Sequence, residues 1–558
     1  MMTGGAVGAV DEVPVIIVGG GPVGLTTSLL CSFHGVPSLL VEHHPGTSIF
    51  PKARFINART MEIFRQLLIE DALRAVAIPH SNYVLWAHSL AGEELARRPV
   101  ETMSSDSVRD WSPTWGCTAT QDVFEPVLLA QAQRQKLADI RFNTQFLTLS
   151  QDKEHVVAQL LDRQSGREWT VRARYLVGAD GAHSPVRNAL GIRMVGEPVL
   201  THSVNVLFQA DLDRFVADRE INICFITNPQ AAGLLLYNGG DRWRFTAFYY
   251  PDRGERPEDY TAERCQQLIR TAVGAPDVTV QVESIFAWSD AALVAERFGD
   301  HRVFLVGDAE HLMAPAGGFG MSVGIQDAHN LAWKLAATLR RWAGPALLDS
   351  YQAERAPISR QMTDQMRRNA LAARAPSREG NDAASVAAPS PTTRPALGRP
   401  EFFREHGLVF GATYDSKVIV PDGTAPVQVA NPVTDYLPTA RPGSRAPHVW
   451  LERGAQRIST LDLFGPSFVL LVGVEDHVWR AAAMAAADSM GLPLQTYTIG
   501  QGGDLGDAAG AWAHTYGVDE QGAALVRPDG YVAWRNRSGS PEEAAHFGEV
   551  LREALARG

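Results

Sequence analysis

Cysteine is scarce in this sequence, and its four cysteines are far apart. Cys31, Cys117, Cys224 and Cys265 form no C-x-x-C pair, and no cysteine follows position 265. Zinc sites and disulfide frameworks in small domains require closely spaced cysteines, so neither is indicated. We therefore expect a reduced, cytoplasmic setting and no bound metal.

The sequence also lacks a long apolar segment and a block of basic residues. The apolar run at 13–18 is about a third of a bilayer span, and Asp11 and Glu12 precede it instead of a basic segment. Its composition predicts a buried strand rather than a signal peptide. Because the formal net charge is −11 and no dense Lys/Arg stretch is present, we predict that the chain binds neither nucleic acid nor membranes.

The remaining composition is that of an ordinary globular protein. Hydrophobic residues make up 45% of the 558 positions and charged residues 20%. At about 150 residues per domain, this length predicts roughly two to four domains.

A glycine-rich turn joins the first predicted strand to the first predicted helix. Residues 15–18 are apolar and β-branched, 25–34 have helical composition, and 36–41 form a second apolar strand. The turn at 19–24 reads GGGPVG and matches G-x-G-x-x-G. In such a βαβ unit the glycines permit the tight turn, the approach of a pyrophosphate and close helix packing. The pattern predicts a flavin or nicotinamide dinucleotide at the helix N-terminus.

Glu42 closes the second strand eighteen positions after Gly24. This is about the spacing expected for a carboxylate that accepts hydrogen bonds from ribose hydroxyls, and an acid there disfavours a ribose 2′-phosphate. The residues predicted to bind the dinucleotide in this half of the chain are Gly19, Gly21, Pro22, Val23, Gly24, Glu42 and the adjacent His43.

A second glycine-rich segment favours FAD over a nicotinamide dinucleotide. The strand at 303–306 runs into Gly307-Asp308, and the glycine-rich segment 315–321 opens a helix with apolar residues at helical spacing. A flat ring can lie against such a backbone, and N–H groups at the helix start can stabilise negative charge on a reduced flavin. Taken alone, Asp308 could equally be an ordinary helix N-cap. The predicted residues of this half are Gly307, Asp308, Pro315, Gly318, Gly320, Met321 and Ser322.

The pattern along the chain predicts a discontinuous first domain. Between about 196 and 289 short alternating strands replace the βαβ pattern, and the turn at 238–241 predicts a hairpin. The predicted units are an FAD-binding domain at 1–195 and 290–372, a substrate-binding β-sheet domain at 196–289, a linker at 373–409 and a small α/β domain at 410–558.

At this point the chain resembles the group A flavoprotein aromatic hydroxylases, which are single-component FAD monooxygenases. The matching segments are GGGPVG at 19–24, PKARFINARTMEIF at 51–64, TQDVFEPVLLAQA at 120–132, YLVGADGAHSPVR at 175–187, the stretch 303–335, and YQAERAP at 351–357. The part after about 410 resembles the thioredoxin-like domain of the phenol and polyketide hydroxylase branch. Because it contains no cysteine, dithiol exchange is excluded and a packing or oligomerisation role is expected. Assembly as a homodimer is therefore one option.

The resemblance implies a fold class and a reaction. The fold class is α/β, with a Rossmann-type FAD-binding domain, an inserted antiparallel β-sheet substrate domain and a C-terminal thioredoxin-like domain. NADPH or NADH would be a transient co-substrate, and O₂ would reach an aromatic substrate through a flavin C4a-hydroperoxide. A phenolic polyketide is preferred over a simple phenol. The alternatives are a Baeyer–Villiger oxygenase or epoxidase on this scaffold, or a flavin-containing binding protein without turnover.

The resemblance also assigns residues. Lys52 or Arg54, with Gln121, would contact the pyrophosphate and ribityl region, Asp308 would bind a ribityl hydroxyl, and 315–321 would back the isoalloxazine. Asp180 would lie near FAD and the nicotinamide co-substrate, although a purely structural turn is an alternative reading. The chain departs from the family pattern with Lys52 for an Arg, Glu310 for an Ala, and Ser322-Val323 for Asn and Thr.

Substrate contacts are less well defined by the sequence. Trp243, Phe245 and Tyr249 alternate onto one face of a predicted strand and could lie beneath an aromatic substrate, although a hydrophobic core would show the same pattern. Four histidines could serve as a base by residue type, but no spacing singles one out, so no catalytic residue is predicted. These are His80, His88, His202 and His311.

Overall fold

The computed structural model describes residues 11–79, 82–374, 403–475 and 478–557. Most of the predicted linker at 373–409 and the candidate base His80 lie outside these residues. Within them, two eight-stranded sheets and one four-stranded sheet organise the chain.

The first sheet, here called the nucleotide sheet, is centred on the strand Asp11–Val18. It pairs in parallel with Ser38–Val41 on one side and Glu168–Gly178 on the other, and the latter pairs in parallel with Val303–Leu305. Parallel pairing places the carboxyl ends of these strands at one edge, where ligands bind in doubly wound folds. The other strands of this sheet are Ala138–Arg141, Thr144–Gln151, Val156–Asp162 and Gly299–Asp300.

Two helices open at that edge and pack on the nucleotide sheet. Pro22–Phe33 follows the first strand and Gly320–Leu339 follows the glycine-rich segment. Their apolar residues, including Leu25 and Ile325, share one buried core with the sheet. Burial on both sides explains why the central strands are apolar at successive positions.

The second sheet, here called the cavity sheet, is mostly antiparallel. Its strands are Tyr83–Ala87, Glu94–Pro99, Met194–Gln209, Ile221–Ile226, Gly233–Tyr237, Arg242–Phe248, Gln281–Ala295 and His311–Leu312. The hairpin predicted around 238–241 is confirmed by the antiparallel pairing of Gly233–Tyr237 with Arg242–Phe248. The helix Ala262–Val273 packs on the back of this sheet, so its front face is left for the cavity.

The third sheet lies in the C-terminal part. Its strands Leu494–Ile499 and Phe468–Gly473 are parallel, and Ala523–Val526 and Val532–Asn536 continue it in antiparallel fashion. Trp333 of the helix Gly320–Leu339 is buried against the core of this sheet, so the C-terminal part packs on that helix. The remaining strands pair Phe55–Ile56 with Cys117–Thr118 and Trp450–Arg453 with Gln456–Ser459.

The remaining α-helices are distributed among these layers. They are Ala58–Gln66, Glu70–Arg74, Ser105–Val108, Gln121–Gln133, Pro185–Ala189, Asp213–Val216, Asp349–Arg374, His406–Phe410, Trp479–Met490, Ala511–Tyr516, Pro541–Ala545 and Phe547–Ala554. In the described part of the chain, none of the helices combines the length and apolar character that a bilayer span requires.

Candidate active site

A cavity of about 2240 Å³ lies between the carboxyl edge of the nucleotide sheet and the front of the cavity sheet. The residues predicted to bind cofactor that line it are Gly19, Gly21, Pro22, Val23, Glu42, His43, Lys52, Arg54, Gln121, Asp180, Asp308, Pro315, Gly318, Gly320 and Met321. Gly24, Gly307 and Ser322 lie behind this wall. The fold therefore brings both glycine-rich segments to one space.

The first glycine-rich turn forms an open cradle at the helix Pro22–Phe33. A Cβ at Gly24 would lie 1.9 Å from the carbonyl oxygen of Gly19, so only glycine allows the helix to approach the turn this closely. At Gly21 an added Cβ would meet nothing within 4 Å. The helix has no acidic residue in its first turn and no side-chain cap hydrogen bond among the described residues. Its first N–H groups and positive dipole end can therefore receive a phosphate.

Glu42 stands at the end of its strand beside this turn. Its Oε2 accepts a hydrogen bond from the Gly20 N–H at 2.6 Å, and its Oε1 accepts one from the His44 N–H at 2.8 Å. The Nδ1 atoms of His43 and His44 lie 3.0 and 2.8 Å from the same Oε1. These contacts fix a carboxylate on the cavity wall, where a ribose could meet it.

The second cradle lies at the start of the helix Gly320–Leu339. This helix also has no acid in its first turn, and no side chain of the described residues caps it. Gly318 has φ +74°, and a Cβ there would lie 2.9 Å from the Phe55 ring, so glycine keeps the wall flat. Asp308 is exposed to the cavity, and the surrounding protein raises the pKa of its carboxyl while His311 and Lys52 oppose that rise.

A buried polar group supports this second cradle from behind. Asp327 Oδ2 accepts from His311 Nε2 at 2.8 Å and, at 3.4 Å, from the Gly307 N–H, while Oδ1 accepts from Arg355 Nε at 2.7 Å. Desolvation raises the pKa of the neighbouring Glu310 well above its ordinary value, and the charge of Asp327 adds to the effect. Sequence reasoning did not single out Asp327 and Arg355, because the two residues pair across 28 positions and the helix of Asp327 carries other polar side chains.

Ser322 and Asp180 make structural contacts. Ser322 is fully buried, and its Oγ accepts from the Asn57 N–H at 3.4 Å. Asp180 Oδ1 accepts from the Ser184 hydroxyl at 2.5 Å and Oδ2 from the Val186 N–H at 2.9 Å. Burial raises the pKa of Asp180 to about 6 against these hydrogen bonds. Its carboxylate therefore anchors a turn at the cavity wall.

Arg54 is directed towards the cavity sheet. Its Nη1 and Nη2 donate to the carbonyl oxygens of Asn222 and Tyr237 at 3.2 and 2.5 Å. Burial, with Arg244 nearby, lowers the pKa of Arg54 to about 9. Lys52 is exposed at the cavity, and Gln121 accepts from the Ala53 N–H at 3.3 Å, which holds the segment in place.

The structure corrects the predicted substrate-facing side of the strand Arg242–Phe248. Trp243, Phe245 and Tyr249 do not line the cavity, because they point to the back of the sheet, where the helix Ala262–Val273 covers them. The alternate residues of this stretch face the cavity: Arg244, Thr246, Phe248 and Tyr250.

Other aromatic residues line the front face instead. The Trp86 and Phe225 rings stack in parallel with centroids 5.0 Å apart, and the Phe286 ring lies 5.9 Å from that of Phe50 at the cavity wall. Trp86, Phe225 and Phe286 belong to separate strands and Phe50 to a loop, so their meeting could not be read from local spacing.

The three candidate bases that the structure describes lie in the cavity, on the back of the sheet and in the buried core. His88 lines the cavity, whereas His202 lies on the back face with its ring 5.3 Å from that of Tyr249. His311 is fully buried.

Comparison with known proteins agrees with this geometry. A family model described as an FAD binding domain matches residues 12–366, and one described as aromatic-ring hydroxylase, C-terminal, matches residues 439–558. A putative polyketide hydroxylase of Streptomyces halstedii is 41% identical, with 98% of this chain and 97% of the relative covered. Tetracenomycin A2 monooxygenase-dioxygenase of Streptomyces glaucescens is also 41% identical, with the same shares covered.

Solved structures resemble the whole chain as well. The flavin-dependent monooxygenase PieE in complex with FAD and substrate has a TM-score of 0.89 at 36% identity, and 99% of this chain and 100% of that chain are covered. Aklavinone-11 hydroxylase with FAD and aklavinone has a TM-score of 0.86 at 36% identity, covering 98% of this chain and 100% of that chain.

Proposed function

The chain belongs to the FAD-dependent aromatic-ring hydroxylases and is a monooxygenase, and from that premise we propose that it hydroxylates a multi-ring phenolic polyketide. The overall reaction consumes NAD(P)H, a proton, O₂ and the aromatic substrate. It yields NAD(P)⁺, water and a product with one additional hydroxyl group.

The size and lining of the cavity carry this proposal. Sites for single drug-sized ligands measure about 300 to 1,000 Å³, whereas this cavity measures about 2240 Å³. It therefore has room for a dinucleotide and, beside it, a substrate much larger than a single phenol ring. The aromatic front face of the cavity sheet suits a flat polycyclic molecule.

The residues present fit FAD as the resident cofactor. We propose that the cradle at Gly21 receives the pyrophosphate, Glu42 the adenosine ribose, Asp308 a ribityl hydroxyl, and the segment 315–321 the isoalloxazine. Lys52 would add a positive charge near the phosphates. Bound there, FAD would supply the chemistry of accepting a hydride from NAD(P)H and activating O₂.

The protein's own contribution is placement and exclusion of water. Trp86, Phe225 and Phe286 would hold the substrate rings against the sheet, and Phe50 with Ile49 would cover the side where the cavity meets solvent. A dry site favours oxygen transfer over the release of hydrogen peroxide.

Several finer points belong to the same proposal. The domain bounds given from the sequence remain predictions, as do homodimer assembly through the C-terminal part and a cytoplasmic location. The location is supported by the four cysteines, which are buried and unpaired.

The test is a purified sample assayed with a panel of polycyclic phenols. We expect a yellow protein whose NADPH or NADH oxidation is accelerated by at least one phenol, with a product heavier by one oxygen atom. Nuclear magnetic resonance of the product then separates ring hydroxylation from ring insertion or epoxidation. Colourless protein, or oxidation that no aromatic compound accelerates, would contradict the proposal.

A further inference from the structure

A carboxylate that forms no ion pair with any described residue lies in the cavity wall on the substrate side. Asp290 lies near the end of the strand Gln281–Ala295, where it pairs across the sheet with Thr201. Both residues line the cavity, and both are largely buried, at 6% and 5% exposure.

The position of Asp290 is close to the segment expected to back the flavin ring. Its strand continues to Leu293, which pairs with Leu312 a short distance before the segment 315–321. Ala292 shares a buried cluster with Ala314, which directly precedes the segment, and with Phe319 of the segment itself. Asp290 therefore lies at the end of the cavity where substrate and isoalloxazine would meet.

The hydrogen bonding of Asp290 leaves its Oδ2 atom able to accept a hydrogen bond from a ligand. The Thr201 hydroxyl donates to Oδ1, and no Lys, Arg or His of the described residues forms an ion pair with this carboxylate. A buried carboxylate is costly unless a donor satisfies it. A ligand that brings a hydroxyl group to Oδ2 would supply that donor.

The other acidic side chains of the cavity already have partners or a cofactor role. Glu42 is held by backbone N–H groups and Asp180 by its own turn, while Glu125 accepts from the Ser48 N–H at 2.8 Å. Asp308 faces the expected ribityl chain. Among the described residues that line the cavity, Asp290 is the carboxylate left for the substrate.

We propose that Asp290 is the catalytic base that accepts the phenolic proton of the substrate, with Thr201 as the residue that positions it. In this step the substrate O–H bond breaks, an O–H bond forms on Asp290, and the electron pair stays on the phenolate oxygen. The phenolate is more electron-rich than the phenol, so its ring accepts oxygen more readily. When the product ring regains its aromaticity, a proton is released and the carboxylate is regenerated through solvent. This inference rests on the proposed phenolic substrate.

The experiment compares the holoenzyme with Asp290→Asn and Thr201→Val. The probes are 2-hydroxyanthraquinone, which absorbs further to the red as its anion, its O-methyl ether, and the best phenol from the activity panel. Without NADPH, the wild-type protein should shift bound 2-hydroxyanthraquinone to the anion band at a pH where the free compound is neutral. The methyl ether should show no such shift.

The variants should separate proton removal from binding. General-base removal typically costs about 10²-fold or more, so Asp290→Asn should lower the rate of product formation by about 10²-fold and abolish the anion band. FAD content should be unchanged, and NADPH consumption should shift towards hydrogen peroxide. Thr201→Val should lose a smaller part of both signals. Glu283→Gln, an exposed carboxylate on the same strand, is the matched control and should match the wild type.

Two results would overturn the assignment. One is product formation by Asp290→Asn at the wild-type rate. The other, which does not depend on any variant folding, is a wild-type protein that hydroxylates the panel phenol, binds 2-hydroxyanthraquinone and shows no anion band. If no phenol yields product, the proposed function fails, whereas an anion band lost in Asp290→Asn would still support the base.

Discussion

Replacing Glu354 with Gln should destabilise the junction of the helices Gly320–Leu339 and Asp349–Arg374 with the C-terminal part. The Glu354 carboxylate accepts from Arg527 Nη1 and Nη2 at 2.6 and 2.9 Å, and from Lys334 Nζ at 2.7 Å. Asn330 Nδ2 donates to it at 2.7 Å and Ser416 Oγ at 2.8 Å. These donors come from three separate parts of the chain, so one carboxylate ties them together.

The loss in the free energy of unfolding depends on which buried charges lose their partner. Glu354, Lys334 and Arg527 are fully buried, and in Glu354→Gln the one acid among the described residues that remains paired with these cations is Asp529. Breaking a buried ion pair costs about 3 to 5 kcal/mol. We expect the lower end, because Arg527 keeps Asp529 and because burial already lowers the pKa of Lys334 to about 8, so that it can lose its proton.

Urea unfolding of the holoenzyme, followed by tryptophan and flavin fluorescence, measures this loss. Glu354→Gln should unfold at a clearly lower urea concentration, and the double variant Glu354→Gln/Lys334→Met should recover part of the loss because it removes the unpaired ammonium. Glu542→Gln, an exposed acid of the C-terminal part, is the control. A Glu354→Gln protein within about 0.5 kcal/mol of the wild type would refute the reasoning.

Three further predictions concern the cavity wall. Gly24→Ala should weaken FAD binding at least tenfold in a fluorescence titration, because the new Cβ would lie 1.9 Å from a backbone oxygen. Gly46→Ala is the control and should bind FAD normally, because a Cβ there meets nothing within 4 Å. Equal affinities of the two variants would contradict the cradle. The melting temperature of Asp180→Asn relative to that of the wild type should rise between pH 4 and pH 8. The folded-state pKa near 6 exceeds the ordinary 3.8, so the stabilising contribution of this carboxyl is complete below pH 3.8 and is lost as the pH rises through 6; a pH-independent difference would argue against it. Trp86→Ala should raise KM for polycyclic phenols more than for phenol, because Trp86 stacks on Phe225 in the cavity. It should also increase the hydrogen peroxide formed per NADPH consumed. An equal change in KM for both substrates would contradict this role.

The dinucleotide half of the molecule could be predicted from the sequence because its signals are local. The strand, glycine turn and helix around Gly21 are consecutive in the chain, and the structure places them within a few residues of the predicted bounds. The glycine-rich segment before Gly320 is equally compact. Parallel strands then bring the two segments to one edge, which is a general rule of this architecture rather than a property of these residues.

The supporting contacts could not be predicted in the same way. Asp327 meets Arg355 across 28 positions, and Glu354 meets Arg527 across 173. Such pairs depend on how whole helices pack against each other, and the periodicity of the sequence does not predict that packing. Buried charges at these positions look like surface charges in the sequence until the packing is known.

The reversal of the substrate face shows what a strand pattern can and cannot decide. A strand alternates its side chains between two faces, so choosing the wrong face exchanges the two sets completely. Around Arg242–Phe248 both sets contain aromatic residues, and aromaticity alone gives no preference. Polarity does distinguish them: the covered face carries apolar side chains and Tyr249, whereas Arg244 and Thr246 lie on the other. A core excludes unpaired polar groups, while a cavity for a phenolic ligand requires some. The mixed face was therefore the better candidate for the substrate side.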